Sequence, residues 1–223
     1  MTLAIFDIDG TLVRGSTERR FWRYLARHGR LGPRQVAAYV YFLLRYWPTF
    51  GLDVGKKNKA YLAWLPSGEI RALAAEFVAS EVVPRLYEPA VQRLRQHLLR
   101  GDTVALLSGT LEPIATALAE HLGVAHVRAT VCVERDGRYR AKMPAVHPFA
   151  ASKVFVAAEL AADLGHELRH AAAYGDSHHD LALLEAVATA VAVLPDERLA
   201  EAAAANDWEV IADEGGRRRP VPH

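Results

Sequence analysis

Cysteine is nearly missing: Cys132 is the single one among 223 residues. A lone thiol excludes an internal disulfide framework and suits a reducing compartment. Long apolar runs are missing as well. The most hydrophobic stretch, residues 36–47, is broken by Arg45, and a spanning helix needs roughly 20 apolar residues. That stretch reads as a buried or interfacial helix, or more pointedly as a surface that touches lipid or a lipid-like substrate. Charge of one sign is also absent: the net charge of +1 gives no global field to recruit nucleic acid or an anionic membrane, so only local basic clusters can act. The first residues lack a basic segment followed by an apolar one, so no signal peptide is expected and the expected location is cytoplasmic. There are no repeats, and nothing in the composition specifies an oligomeric state.

The chain instead carries 51% hydrophobic residues, enough for one substantial core, or for one core plus a small inserted domain. Residues 3–9 read as a strand. From Thr17 to about Pro84 the pattern is helical: Thr17 as a possible cap for a helix running to Gly29, then a helix opening at Pro33, then one from Ser67 to Val83. After Pro89 the pattern alternates. Helices are expected over Ala90–Arg100, Pro113–Leu122, Ser152–Leu164, Asp180–Ala186 and Glu197–Ala204. Strands are expected over Thr103–Leu107, Ala171–Tyr174, Thr189–Val193 and Trp208–Ile211. Residues 128–135 and 138–142 flank Asp136-Gly137, a hairpin signal, with Cys132 alternating with apolar neighbours. Alternating strands and helices predict an α/β fold with a doubly wound parallel sheet, and the early helical block predicts an inserted helical domain. The tail at 215–223 lacks apolar periodicity and is expected to be disordered.

Ligands in open α/β sheets bind beyond the carboxyl ends of the strands. After the first strand come Asp7, Asp9, Gly10 and Thr11. Residues i and i+2 of a strand point the same way, so the two carboxylates leave it on one side and repel unless a cation sits beside them. After VALL come Ser108, Gly109 and Thr110; Lys153 opens a later helix; after AAAY come Gly175, Asp176, Ser177 and Asp180. A carboxylate can attack phosphorus. A second acid can protonate the leaving oxygen and deprotonate water. A hydroxyl with nearby amides can hold phosphate oxygens. A lysine can neutralise the transferring group, and further carboxylates suit a hard cation.

FDIDGTLV, LLSGT, the lysine of AASKVF and YGDSHHDLALL, in that order over residues 1 to about 195, closely resemble the four motifs of the haloacid dehalogenase (HAD) superfamily. The resemblance is to subfamily IB, the branch containing phosphoserine phosphatase. It implies a Rossmann-like core at 1–13 and 85–223 with an all-helical C1 cap at 14–84. It implies Asp7 as nucleophile, and Asp9 as general acid/base that also offers its backbone carbonyl to Mg2+. Asp176 is then the main metal carboxylate and Asp180 a group orienting a metal-bound water, so the metal set is Asp7, Asp9, Asp176 and Asp180. Ser108 and Lys153 bind the phosphoryl group, and Gly10 and Gly109 let backbone amides approach it. The implied activity is Mg2+-dependent hydrolysis of a small anionic phosphomonoester through an aspartyl-phosphate. A phosphotransferase that uses an alcohol acceptor and a non-catalytic phospholigand-binding protein are the alternatives.

Phosphoserine phosphatases carry a glutamate nine residues after the nucleophile, where this chain has Ser16. Phosphoserine is therefore disfavoured, with Glu18 two residues on as a substitute rotated to another helix face. Ser16, Glu18, Arg19 and Arg20 are the substrate candidates. Arg14, Arg19, Arg20, Lys56, Lys57 and Lys59 make a basic cluster that is either a solvated face or a funnel for an anionic substrate. His166–His170 matches HExxH but has room for barely one helical turn, and Gly51…Gly55-Lys56 is one residue short of a phosphate-binding loop. Neither is taken as a site. His178 and His179 sit inside the last motif and could contact substrate.

Overall fold

Strict alternation along β1 (Leu3–Phe6) places Leu3 and Ile5 in one apolar cluster and Ala4 and Phe6 in another, one on each sheet face. All four residues are buried, the pattern of a central parallel strand covered on both faces. The structure is a computed structural model that describes residues 1–51 and 54–213. The expected disorder at 215–223 lies outside the described residues.

After β1 come α1 (Thr17–Arg27), α2 (Pro33–Phe50), α3 (Val54–Lys57) and α4 (Ser67–Phe77), then a π turn at Val78–Val82 and a 3-10 turn at Val83–Arg85. The remaining elements are α5 (Glu88–Leu99), β2 (Thr103–Leu111), α6 (Glu112–Leu122), β3 (His126–Thr130), β4 (Glu134–Arg135), β5 (Arg138–Tyr139), α7 (Ala151–Asp163), β6 (Ala172–Gly175), α8 (Leu181–Leu184), β7 (Thr189–Val193), α9 (Glu197–Ala205) and β8 (Glu209–Ile211). The six-stranded sheet has the order β3-β2-β1-β6-β7-β8 with every pairing parallel. Chain order reverses on either side of β1, so the carboxyl end of β1 is the switch point where such folds bind ligands. Among the described residues no helix is long and apolar enough to cross a membrane.

The first strand, expected over 3–9, ends at Phe6, and four further expectations change. The hairpin arm expected at 128–135 divides. Its first part belongs to β3, paired in parallel with β2 through Leu106–Val127 and Leu107–Arg128, because an open sheet edge offers a full ladder. Only β4 and β5 form the hairpin, turning at Asp136 and Gly137 with φ of 55° and 69°, the positive values a two-residue turn needs. Secondly, Thr17 is not the cap of α1. Ser16 is, accepting from Arg19 N at 3.3 Å. Thirdly, β2 does not stop at Leu107 but continues through Ser108–Thr110, with a register break against β3. Finally, the helix expected over Ser67–Val83 loosens into the π turn just before Pro84, which has no N–H to continue an α-helical ladder.

The hairpin packs on the helical insert. Trp64 N donates to Tyr139 O, Ser67 N to Gly137 O and Tyr139 N to Leu65 O at 2.8–3.1 Å. Helix α2 has its own small core, with Ala38 and Phe42 against Val54, Ala60 and Ala63.

Candidate active site

β1 delivers Asp7 to the switch point, its N–H bonded to the Tyr174 carbonyl of β6 at 3.0 Å. α7 delivers Lys153, a buried lysine whose Nζ donates to Asp7 Oδ1 at 2.6 Å and to Asp180 Oδ1 at 2.5 Å. Asp180 in turn accepts from Asp176 N at 3.1 Å and Ser177 N at 3.3 Å. That closed loop after β6 needs Gly175. A Cβ there would stand 2.6 Å from Asp180 Cβ, closer than side chains approach. Oxygens of Asp7, Asp176 and Asp180 lie within 4.8 Å of one another, all three residues buried.

Burial pushes the Asp7 carboxyl up to about 7, with Lys153 pulling it down and Asp180 pushing it further up. Burial also opposes the Lys153 charge, but Asp180 and Asp7 outweigh it and hold the ammonium above its ordinary value. One ammonium thus bonds two members of a cluster of three buried carboxylates. An all-oxygen donor set with surplus negative charge fits a hard divalent cation.

Asp9 turns elsewhere. Its Oδ1 accepts from Thr17 N at 2.9 Å, while the Thr17 hydroxyl bonds that of Thr110 on β2. Burial raises the Asp9 carboxyl to about 6, against the opposing pull of the Thr17 bonds, which suits a group that gives and takes a proton near neutrality. Gly10 does not line the pocket: its N–H is spent on Val13 O at 2.8 Å, and its φ of 85° serves the turn. Ser108 and Gly109 do line it.

The pocket at the carboxyl end of β1, about 190 Å³, brings together Asp7, Asp9, Ser108, Gly109, Lys153, Asp176 and Asp180, and adds Thr110, His147–Ala150, Ser177 and His179. His147 had no signal in the sequence. The Thr130 hydroxyl donates to Gly109 O at 2.6 Å and so accepts from His147 Nδ1 at 2.8 Å, leaving Nε2 an acceptor without a partner among the described residues. Burial, with Lys59 and Lys57 nearby, pushes this imidazole down to about 3. Glu18 and Lys59 also line the pocket. The buried Lys59 pairs with Glu18, which accepts from Tyr61 Oη at 3.2 Å.

Glu18 is shared with a second cavity of about 650 Å³ between α1 and α2, lined by Ser16, Arg19, Trp22, Val36, Tyr39 and Tyr61 among others. The expected rotation of Glu18 away from the site does not occur, because Ser16 is the cap outside the helix and the two positions are not one helical face apart. Arg20 lies in another groove with Arg23, Arg27 and Arg85. Arg14 pairs with Asp213 at 2.7 Å and lies over the Tyr87 ring.

The model of the haloacid dehalogenase-like hydrolase family matches residues 4–185. The chain belongs to that family and is a hydrolase. It is 30% identical over 219 residues to a probable phosphatase of Mycobacterium tuberculosis, covering 95% of this chain and 75% of the relative. A second protein of that organism, named a phosphoserine phosphatase, is 29% identical over 213 residues, covering 93% of this chain and 69% of the relative. A crystal structure of a Bordetella pertussis protein of unknown function superimposes with a TM-score of 0.80 at 32% identity, covering 94% and 97% of the two chains.

Proposed function

We propose that the protein is a Mg2+-dependent phosphatase that hydrolyses an anionic phosphomonoester through an aspartyl-phosphate on Asp7. The observation that carries this reading is the buried Asp7–Lys153–Asp180 array with Asp176 alongside, at the carboxyl end of the central strands. Asp7, Asp176 and Asp180, with the Asp9 carbonyl, are the groups that would hold the cation. When bound it supplies positive charge against the phosphoryl oxygens. Lys153, Ser108 and the Gly109 region hold those oxygens, and Lys153 also fixes the orientation of Asp7.

An Asp7 oxygen attacks phosphorus in line, and the ester oxygen leaves with the proton of Asp9. Asp9, now ionised, takes a proton from water, whose oxygen attacks phosphorus and releases Asp7 and inorganic phosphate. The helical insert at 14–84 serves as the cap, with the core at 1–13 and 85–223. The two domains meet where Asp9 and Thr110 both bond Thr17. Bonding of the Asp9 carboxylate to the first residue of α1 links the proton-transfer group to the cap.

Free phosphate release from p-nitrophenyl phosphate, with Mg2+ or with a chelator and with and without alcohol acceptors, tests the proposal. Wild-type protein is expected to release phosphate only with Mg2+. Asp7→Asn is expected to lower kcat by at least about 1,000-fold, since the nucleophile is gone. A variant with near-wild-type turnover would sink the mechanism, and phosphate appearing mainly on the alcohol would make the protein a phosphotransferase.

A further inference from the structure

Among the described residues nothing covers the outward side of α2. Val36, Val40, Tyr41, Leu44 and Trp47 are 46–73% exposed, while Ala38 and Phe42 face inward. At about 100° per residue Val36, Trp47, Val40 and Leu44 fall within an arc of about 80°. An apolar face this continuous on a helix that is already packed on its other side marks a contact surface.

Its surroundings specify the partner. Residues 19–50 hold seven arginines and no aspartate or glutamate. Arg27 and Arg30 pair with Glu81 and Glu69, but among the described residues Arg19, Arg23 and Arg34 have no carboxylate partner. Arg19 and Arg23 line the cavity that Val36 also borders, and around the helix Arg34 and Arg45 follow Tyr41, about 80–100° past the Leu44 edge of the arc. Apolar and aromatic side chains flanked by unneutralised arginines complement an anionic lipid interface. A protein partner would need acidic groups matched one by one, whereas the headgroup layer needs only sign.

The 650 Å³ cavity continues this face. Trp22 and Val36 belong to its wall and are exposed beside it, and Glu18 lines both this cavity and the pocket that holds Asp7. We propose that the outward face of α2 docks on an anionic lipid bilayer and that the substrate is an amphiphilic phosphomonoester drawn from it. Its phosphate occupies the catalytic pocket and its apolar part the cavity between α1 and α2. The substrate class rests on the phosphatase reading above; the docking face does not.

Two separate readouts keep these apart. Full-length protein is sedimented with vesicles of phosphatidylcholine alone or doped with phosphatidylglycerol. It is expected to sediment with the doped vesicles only, and less at high salt. Leu44→Glu combined with Trp47→Glu alters exposed side chains outside both pockets. It is expected to lower the sedimented fraction by about tenfold and to leave p-nitrophenyl phosphate hydrolysis unchanged. Lysophosphatidic acid in the doped vesicles is expected to give a kcat/KM at least about tenfold above that for glycerol phosphate, through burial of its chain.

Wild-type protein left in the supernatant, or a double variant that sediments like wild type, overturns the docking face. So does a dimer seen by gel filtration that the double substitution splits, which gives the face to a second copy. Equal kcat/KM for the two esters overturns the substrate class. Wild-type protein inactive on every ester overturns the phosphatase reading and the substrate with it, while sedimentation still decides the docking.

Discussion

Gly175 has no freedom of composition because Asp180 folds back over it. Adding one methyl places a carbon 2.6 Å from Asp180 Cβ, so the carboxylate must move away from Lys153 and from the Asp176 and Ser177 amides. Gly175→Ala is expected to cost about 1–3 kcal/mol by overpacking and to lower kcat by about 100-fold through misplaced groups. Denaturant unfolding and steady-state kinetics read the two effects, and unchanged kcat would show that Asp180 does not position the site. His147 gives a pH effect. Its folded pKa, about 3, lies below the unfolded value of about 6.5, so the unfolded chain takes up the proton first. The stability that the neutral imidazole contributes is full above pH 6.5 and is lost as pH falls from 6.5 toward 3. At pH 5 the loss is about 2 kcal/mol. Buried Asp7 and Asp9 have raised values and act in the opposite sense. The reading is therefore the difference between wild type and His147→Asn, measured by urea unfolding at pH 7 and pH 5. Equal pH slopes would place His147 in solvent contact.

At the scale of the element, α1 begins where three bonds meet: the Ser16 cap, the Thr17 amide to Asp9, and the Thr17 hydroxyl to Thr110. Thr17→Val leaves a buried Thr110 hydroxyl without its partner and is expected to cost about 1–3 kcal/mol, whereas Thr17→Val with Thr110→Val replaces both and recovers most of it. A double-mutant cycle by thermal unfolding measures this, and additive losses would mean that the two hydroxyls do not act as a pair. The same region shows how far sequence reaches. The strands were legible because apolar runs of four or five residues between turn signals have few other uses, and DIDGT, LLSGT, the lysine and GDSHHD each fall near the carboxyl end of a strand or the start of a helix. The β3 assignment was not legible, since alternation in residues 128–135 suits a hairpin arm and a sheet edge equally, and only the tertiary ladder to β2 decides. Ser16 as cap, and with it the inward aim of Glu18, turned on a one-residue boundary that local propensity does not resolve. His147 belongs to a loop without periodicity, and its tautomer follows from a hydrogen bond to a residue 17 positions away.

For the whole molecule, the carboxylate cluster would couple folding to the binding of a cation. Asp7 comes from β1, and Asp176 and Asp180 from the segment after β6, so oxygens from opposite ends of the chain converge only in the folded state. Lys153 offsets part of their mutual repulsion through its bonds to Asp7 and Asp180, and the rest is a cost that a bound divalent cation would remove. A ligand that binds only the native state stabilises it by about 2.7 kcal/mol at 100 times its dissociation constant. In a chain of this size each kcal/mol moves Tm by about 2–4 °C. Saturating Mg2+ is therefore expected to raise Tm by about 5–10 °C over protein in chelator. Asp176→Asn is expected to start from a higher Tm in chelator, since one repelling charge is gone, and to lose most of the Mg2+ increment. Differential scanning calorimetry on both proteins, with and without Mg2+, separates the two effects. An equal increment in the variant would remove Asp176 from the cation site and leave the repulsion to be balanced within the protein.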